Sequence, residues 1–163
     1  MNVIAVSGYK DSGKSTLCRA LISALRARGF SVGYIKRTHE PTVSPLDTDT
    51  GAANDLGVSS LLWGDGFLRF EALWADANEI DARDLAGRYF PSADIVILEG
   101  GKDLRLPKIW VLKEGEAAPE RAGVFAVYDR CGAGDGSLVY GPGDIDRLVS
   151  RVADMTEMRD LPA

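Results

Sequence analysis

The sequence predicts a single α/β domain over residues 1–163, with an open, mostly parallel sheet flanked by helices. Short and almost wholly apolar runs, such as Asn2 to Ser7 and Asp94 to Leu98, alternate along the chain with segments of helical apolar spacing. A strand that is apolar at every position is typical of a parallel sheet covered on both faces. The glycines on either side of Asp65 also predict one antiparallel hairpin as an excursion from this sheet.

The elements of the N-terminal half follow from local pattern. Apolar residues recur every three or four positions between Lys14 and Arg28, and Gly29 then supplies a helix stop. The polar stretch Thr38 to Asp49 contains two prolines, which predict a long loop. In chain order we expect a strand Asn2 to Ser7, a helix Lys14 to Arg28, a strand Ser31 to Lys36, this loop, a short helix Thr50 to Leu56, and hairpin strands Ser59 to Trp63 and Phe67 to Leu73.

The C-terminal half continues the alternation of strands and helices. In order we expect a helix Ile80 to Tyr89, strands Asp94 to Leu98, Pro107 to Leu112 and Gly123 to Tyr128, and an amphipathic helix Ile145 to Met155. In open sheets of this kind the ligand binds beyond the carboxyl ends of the strands. Residues that follow these strands are therefore the first candidates for a functional site.

Composition and charge exclude several classes of protein. Apolar residues make up 45% of the chain and charged residues 26%, which is ordinary for a globular protein and unlike a disordered one. The net charge is −5 and no basic run occurs, so neither nucleic acid nor a membrane surface is an expected partner. Cys18 and Cys131 form no disulfide framework and no metal-binding pattern, which favours a cytoplasmic location.

The strongest chemical signal is a phosphate-binding loop between the first strand and the first helix. It matches G-x-x-x-x-G-K-[ST] in full, over Gly8, Tyr9, Lys10, Asp11, Ser12, Gly13, Lys14 and Ser15. The glycines let backbone N–H groups turn toward one concavity, and the helix N-terminus favours anions there. We expect Lys14 to reach the β- and γ-phosphates of a nucleotide and the Ser15 hydroxyl to ligate Mg²⁺.

A carboxylate that completes the metal site is expected at the end of a neighbouring strand. Glu99 follows an apolar run, and we expect it to serve the metal or to orient an attacking water. Gly100 would let the backbone approach the γ-phosphate. Asp47 and Asp49, at the end of the predicted loop, are alternative outer ligands or ordinary turn formers. His39, the only histidine, is either catalytic or simply exposed.

Asp129 is a candidate for reading the base. It follows the apolar run Val124 to Tyr128, so we expect it at a strand's carboxyl end beside the P-loop. Its carboxylate could accept hydrogen bonds from guanine N1–H and the 2-amino group, donors that adenine lacks. The alternative is an exposed turn aspartate before Arg130 and Gly132.

Four segments together resemble the MobB family of molybdopterin guanine dinucleotide biosynthesis. They are Gly-Tyr-x-x-Ser-Gly-Lys-Ser-Thr-Leu (Gly8 to Leu17), Ile-Lys-Arg-Thr-His (Ile35 to His39), Asp-Thr eight residues before Gly57, and Leu-Glu-Gly-x-Lys (Leu98 to Lys102). The P-loop alone would name no family, whereas the second and fourth segments do. The resemblance covers roughly Asn2 to Leu112.

The resemblance implies a function and further site residues. It implies that the loop through Thr16 holds GTP phosphates, that Ser15, Asp49 and Glu99 surround Mg²⁺, and that Lys36, Thr38, His39 and Lys102 line the mouth of the site. It implies weak GTP hydrolysis, a homodimer, and an adaptor role beside the guanylyltransferase MobA. Molybdopterin, or its guanine dinucleotide, is a further ligand that it implies.

Two other classes share the P-loop. A small-molecule kinase usually adds an arginine-rich lid, and the candidate stretch Lys113 to Gly123 offers only Lys113 and Arg121. A metallochaperone GTPase needs a cluster of cysteine and histidine, and this chain has one histidine and two separated cysteines. The fate of the phosphate distinguishes these alternatives. It goes to water, to an acceptor, or nowhere when the protein only binds the nucleotide.

Overall fold

The computed structural model describes residues 2–38, 43–72, 80–120, 122–132 and 138–157. Contacts divide the chain into two compact units, one formed by residues 1–37 and 81–163 and the other by residues 38–80. Each unit is built from its own secondary structure. In the described residues, no helix has the length and apolar character needed to cross a membrane.

The first unit is built around a six-stranded parallel sheet. Its strands are β1 (Asn2–Ser7), β2 (Val32–Lys36), β5 (Ile95–Glu99), β6 (Lys108–Val111), β7 (Val124–Tyr128) and β8 (Val139–Tyr140). Their spatial order is β2-β5-β1-β6-β7-β8, and every neighbouring pair is parallel. The central position of β1, between β5 and β6, puts the loop that follows it at the middle of the carboxyl edge.

Helices cover both faces of this sheet. They are α1 (Lys14–Ala27), α3 (Ala82–Tyr89) and α4 (Ile145–Glu157), the last preceded by a 3₁₀ turn at Pro142–Asp144. Leu17, Leu21 and Leu25 of α1 are fully buried with Ile4 and Val6 of β1. The alternate β1 residues belong to a second cluster with α3, because successive side chains of a strand point to opposite faces. Burial on both faces is what makes β1 and β5 apolar throughout.

The second unit contains helix α2 (Asp49–Asp55) and an antiparallel hairpin of β3 (Ser60–Gly64) and β4 (Phe67–Glu71). A two-residue turn, Asp65 and Gly66, joins the strands, and Gly66 has the positive φ (+70°) that such a turn needs. Glu71 ties the unit together, since its carboxylate accepts hydrogen bonds from the Ser44 amide at 3.0 Å and the Asn54 side chain at 2.6 Å.

The predicted fold class, the order of the elements and the hairpin are confirmed, with bounds that differ by at most two residues. Two elements were not predicted, the two-residue strand β8 and the 3₁₀ turn after it. Asp49, which the sequence placed at the end of a loop, is the first residue of α2. Thr48 caps this helix, because its side-chain oxygen accepts a hydrogen bond from the Gly51 amide at 3.1 Å. The predicted loop falls partly on residues 39–42, which lie outside the described residues.

Candidate functional site

The loop between β1 and α1 has the backbone of a phosphate cradle. Gly8, Asp11 and Gly13 all have positive φ values, of +152°, +64° and +99°. A methyl group on Gly8 would lie 2.4 Å from the carbonyl oxygen of Val111, so only glycine fits where the loop leaves β1. The predicted strand, loop and helix arrangement is therefore present in the structure.

Several polar groups of this loop have no partner within the described structure. The amides of Thr16 and Leu17 both donate to the carbonyl oxygen of Gly13 at 3.1 Å, whereas those of Lys14 and Ser15 have no acceptor there. The Ser12 hydroxyl is buried and also lacks a hydrogen-bond partner. An unsatisfied buried polar group costs about 1–3 kcal/mol. An anion in the cradle would satisfy the amides, so these residues fit a phosphate group.

Lys14 lies at the first position of α1, and its ammonium donates a short hydrogen bond to the carbonyl oxygen of Tyr9. Desolvation by its partly buried position lowers the pKa of Lys14, and it outweighs the opposite effect of Glu99 and Asp11. A partly desolvated cation gains from a bound polyanion. Lys10 and Asp11, by contrast, are exposed.

Glu99 is the centre of a hydrogen-bonded cluster at the carboxyl ends of β5 and β2. Its Oε1 accepts a hydrogen bond from the Ser15 hydroxyl at 2.8 Å and lies 3.7 Å from the Lys36 ammonium. Its Oε2 accepts one from the Tyr34 hydroxyl at 2.7 Å. The register explains this meeting, because Glu99 is paired with Lys36 of β2 on one side and with Val6 of β1 on the other.

This cluster keeps Glu99 ionised although its side chain is only 7% exposed. Burial alone would raise its pKa, but the hydrogen bonds from Tyr34 and Ser15 and the charges of Lys36 and Lys14 lower it on balance. Burial raises the pKa of Tyr34, and the hydrogen bond to Glu99 raises it further. Glu99 is therefore a stable carboxylate and a weak base.

The backbone after Glu99 is held in place by hydrogen bonds around Gly100. Gly100 has a φ of +107°, its amide donates to the carbonyl oxygen of Val6 at 3.0 Å, and its own carbonyl accepts from the Ser7 hydroxyl at 2.7 Å. A methyl group there would lie 3.1 Å from the carbonyl oxygen of Arg37. The strand end is thus fixed on both sides of Gly100.

Ser15 and Glu99 fit a magnesium ion in a nucleotide complex. Both supply oxygen, the atom that Mg²⁺ prefers, and the carboxylate supplies charge. No group of three His, Cys, Asp or Glu side chains in the described parts of the chain is placed to hold a metal alone. Mg²⁺ usually retains several waters and binds through one or two protein groups together with substrate phosphates. Two protein ligands are therefore enough.

An aromatic side chain and a cation stand beside the loop. The Tyr9 ring is 44% exposed and contacts buried Trp110 edge to face, with centroids 5.8 Å apart. The Lys102 ammonium lies 5.8 Å from the Tyr9 ring centroid. Trp110 is held by a 3.0 Å hydrogen bond from its indole N–H to Glu116. Lys102 thus lies beside the loop, and its role at the mouth of the site stays a prediction.

Asp129 directly follows β7, at the same edge of the sheet as the P-loop. Its Oδ1 accepts a hydrogen bond from the Cys131 amide at 2.9 Å, and its own amide donates to the carbonyl oxygen of Tyr140 at 2.9 Å. A methyl group on Gly132 would lie 2.4 Å from Oδ2 of Asp129, so the carboxylate packs directly on this glycine. One carboxylate oxygen of Asp129, the residue expected to bind the base, therefore already accepts a hydrogen bond within its own turn.

Four candidate residues do not belong to the first unit's described part. Asp49 and Asp47 are exposed residues of the second unit, at the start of α2 and just before it. Thr38 is an exposed residue of the same unit. His39 lies outside the described residues. Their roles at the metal and at the mouth of the site stay predictions.

Tyr34 is the member of the Glu99 cluster that the sequence analysis missed. A signal was available, because alternate residues of a strand share a face. Tyr34 is two positions before Lys36, so a carboxylate that meets one meets the other. The missing step was the register between β2 and β5, which no local pattern provides.

Comparisons with known proteins agree on one family. A family model described as "Molybdopterin guanine dinucleotide synthesis protein B" (MobB) matches residues 3–128. A molybdopterin-guanine dinucleotide biosynthesis adapter protein from Escherichia coli K12 is 32% identical over an alignment of 125 residues, and the match covers 69% of this chain and 66% of that protein. A putative adapter protein of the same name from Methanocaldococcus jannaschii is 33% identical over 124 residues, 72% of this chain and 50% of that protein.

Solved structures agree with this at the level of the fold. A crystal structure titled as molybdopterin-guanine biosynthesis protein B has a TM-score of 0.74 at 22% identity and covers 94% of this chain and 99% of its own. A MobB homologue from Bacillus stearothermophilus has a TM-score of 0.68 at 23% identity, with 97% and 99% covered. The fold is thus shared over nearly the whole chain, whereas the sequence match to the Escherichia coli relative spans 66% of that protein's length.

Proposed function

Since the chain belongs to the MobB family, we propose that it is an adaptor in the synthesis of molybdopterin guanine dinucleotide that binds GTP and Mg²⁺ at its P-loop. A role in molybdenum cofactor biosynthesis agrees with the names of its relatives. The observation that carries the nucleotide part is the 2.8 Å hydrogen bond between Ser15 of the loop and Glu99 of β5. It joins the residues that hold the metal and the phosphates in a P-loop protein. We also propose a cytoplasmic location.

In this function the chain's own residues bind the phosphates, orient them and neutralise their charge. The phosphate oxygens accept hydrogen bonds from the amides of Lys14 and Ser15 and from the Lys14 ammonium. Bound Mg²⁺ would be held by Ser15 and Glu99 and would neutralise charge on the β- and γ-phosphates. The proposal extends this metal site to Asp49, and the mouth to Lys36, Thr38, His39 and Lys102.

Slow hydrolysis agrees with the surroundings of Glu99. A general base works best when its pKa lies near the operating pH. The pKa of Glu99 is lowered by the hydrogen bonds of Tyr34 and Ser15 despite its burial, so it would accept a proton from water only weakly. We therefore assign to Glu99 the metal rather than proton abstraction, and we assign to the protein weak GTPase activity.

Asp129 remains the candidate that selects guanine. Its Oδ1 is used by the Cys131 amide, which leaves Oδ2 to accept hydrogen bonds from the base. Adenine offers no such donors and would leave the carboxylate unpaired.

A direct test uses the purified chain, a panel of nucleotides and the partner reaction. We expect calorimetry with Mg²⁺ to show tighter binding of GTP than of ATP, with slow release of inorganic phosphate. We further expect the chain to increase formation of the guanine dinucleotide when it is added to molybdopterin, GTP and the guanylyltransferase MobA. Transfer of phosphate to an acceptor would indicate a kinase instead. Absence of nucleotide binding would overturn the proposal.

We also propose a homodimer, built on the hairpin of the second unit. Cross-strand pairing puts Leu61, Trp63, Leu68 and Phe70 on one face of this hairpin, and their exposed fractions are 57%, 83%, 64% and 51%. An apolar face of this extent usually marks an interaction surface. A two-stranded sheet also has two open edges with which another copy can pair.

The dimer can be tested by its mass in solution. We expect light scattering at tens of micromolar to give twice the chain mass, and Trp63→Glu to shift the protein toward monomer because it places a charge in the apolar contact. Leu62→Glu is the matched control, since Leu62 is 46% exposed on the opposite face of the hairpin. A monomeric mass for the unmodified protein would refute the dimer.

A further inference from the structure

Arg130 lies beside the P-loop, at the same carboxyl edge of the sheet. A methyl group on Gly13 would be 3.6 Å from Cδ of Arg130, which is van der Waals contact. The Arg130 side chain is exposed, and no carboxylate in the described structure forms an ion pair with it. The Arg130 side chain therefore passes close to the glycine that precedes Lys14, and its exposed end is available to a ligand.

The turn after β7 holds Arg130 in this position. Asp129 accepts the Cys131 amide at 2.9 Å and donates its own amide to Tyr140 of β8, also at 2.9 Å. The carboxylate packs so closely on Gly132 that a methyl group there would lie 2.4 Å from Oδ2. The backbone on both sides of Arg130 is thus fixed, although its side chain is exposed.

The strand order indicates which end of a nucleotide Arg130 would meet. Glu99 and Lys36 are on β5 and β2, on one side of β1, whereas Arg130 follows β7, two strands away on the other side. Ser15 and Glu99 would hold the metal that neutralises the terminal phosphates, so this pair marks the expected triphosphate end. Arg130 follows β7, which is three strand spacings, about 14 Å, from β5, so a nucleotide that extends across the loop would bring its nucleoside toward Arg130.

We propose that Arg130 forms the nucleoside wall of this site, with its planar guanidinium packed on the face of the purine base. The inference rests on the proposed nucleotide site and adds to it a residue that binds the base. Guanidinium groups stack on aromatic planes, and the interaction does not distinguish one purine from another. Arg130 would thus supply affinity, and Asp129 would supply the choice of guanine.

The test compares two ligands that differ by the nucleoside. Arg130→Gln is titrated with GTP and with inorganic tripolyphosphate, which has the charge of the phosphate chain but no base. We expect GTP binding to weaken about tenfold and tripolyphosphate binding to stay unchanged. Arg130→Lys keeps the charge but not the plane, so we expect it to lose most of the same affinity.

Controls separate this inference from the proposed function. Arg151→Gln, an exposed arginine on α4, should change neither affinity. Equal losses for GTP and tripolyphosphate in Arg130→Gln would place the guanidinium on the phosphates and overturn the stacking role, as would no loss at all. If the unmodified protein binds neither ligand, the nucleotide site itself fails. If the unmodified protein binds both ligands and the Arg130 variants show no loss of affinity, the nucleotide site is supported and this inference fails.

Discussion

Lys14→Ala is expected to weaken GTP binding by roughly 100-fold, because a charge-assisted hydrogen bond contributes up to about 3 kcal/mol. Lys14 is the cation at the N-terminus of α1, where the loop amides also point. The free protein already bears part of the free-energy cost of removing this charge from water, since desolvation lowers the pKa of Lys14. Titration calorimetry with GTP and Mg²⁺ measures the loss directly.

The same variant should fold normally. The described ammonium contact is a single hydrogen bond to the Tyr9 carbonyl oxygen, and removing a partly desolvated charge relieves a cost in the empty site. We expect the melting temperature without nucleotide to be no lower than that of the unmodified protein. Arg26→Ala, an exposed cation at the other end of α1, is the matched control and should leave affinity unchanged. A folded Lys14→Ala protein with full affinity would remove the P-loop hypothesis.

The elements of the fold were predictable wherever burial leaves a pattern in the sequence. β1 and β5 are buried at every position, and their composition shows it. The hairpin was signalled by Gly66, whose positive φ a two-residue turn requires. β8 was missed because two residues carry no periodicity, and its existence depends on the pairing of Val139 with Val127.

The site was predictable only where a motif fixes the spacing. A P-loop that binds Mg²⁺ and nucleotide needs both the loop and a carboxylate at a strand end. The sequence therefore predicted that Ser15 and Glu99 lie together before any register was known. Arg130 is far from Gly13 in sequence, and their proximity depends on the order of β6 and β7 and on the turn after β7. No sequence pattern around Arg130 predicts that geometry.

Glu99→Gln is expected to abolish most of the advantage that Mg²⁺ gives to nucleotide binding, and to reduce hydrolysis at least tenfold more than it reduces affinity. Glutamine preserves the shape, and its amide can still meet the hydroxyls of Ser15 and Tyr34, which now lie 2.8 Å and 2.7 Å from the carboxylate oxygens. The charge that would hold the metal is gone. A loss confined to the chemical step appears in kcat rather than in binding.

The decisive measurement is GTP affinity with Mg²⁺ and with a chelator. Without metal, we expect Glu99→Gln to bind GTP as well as the unmodified protein or better, because an anion facing the phosphates has been removed. With Mg²⁺, the unmodified protein should gain affinity and the variant should not. Equal losses in both conditions would mean that Glu99 only supports the structure around Ser15.

Tyr34→Phe is the control that separates charge from position. It removes the hydrogen bond to Oε2 and leaves the carboxylate ionised through Ser15 and Lys36, so we expect the response to Mg²⁺ to persist. It should also raise the pKa of Glu99, since burial then acts without the Tyr34 hydrogen bond, the largest of the contacts that lower this pKa. In the unmodified protein Mg²⁺-dependent binding should then survive to lower pH than in Tyr34→Phe. Titrations with GTP and Mg²⁺, from neutral pH down to the pH at which the protein unfolds, would show the shift. Coincident curves for the two proteins would contradict the role assigned to Tyr34.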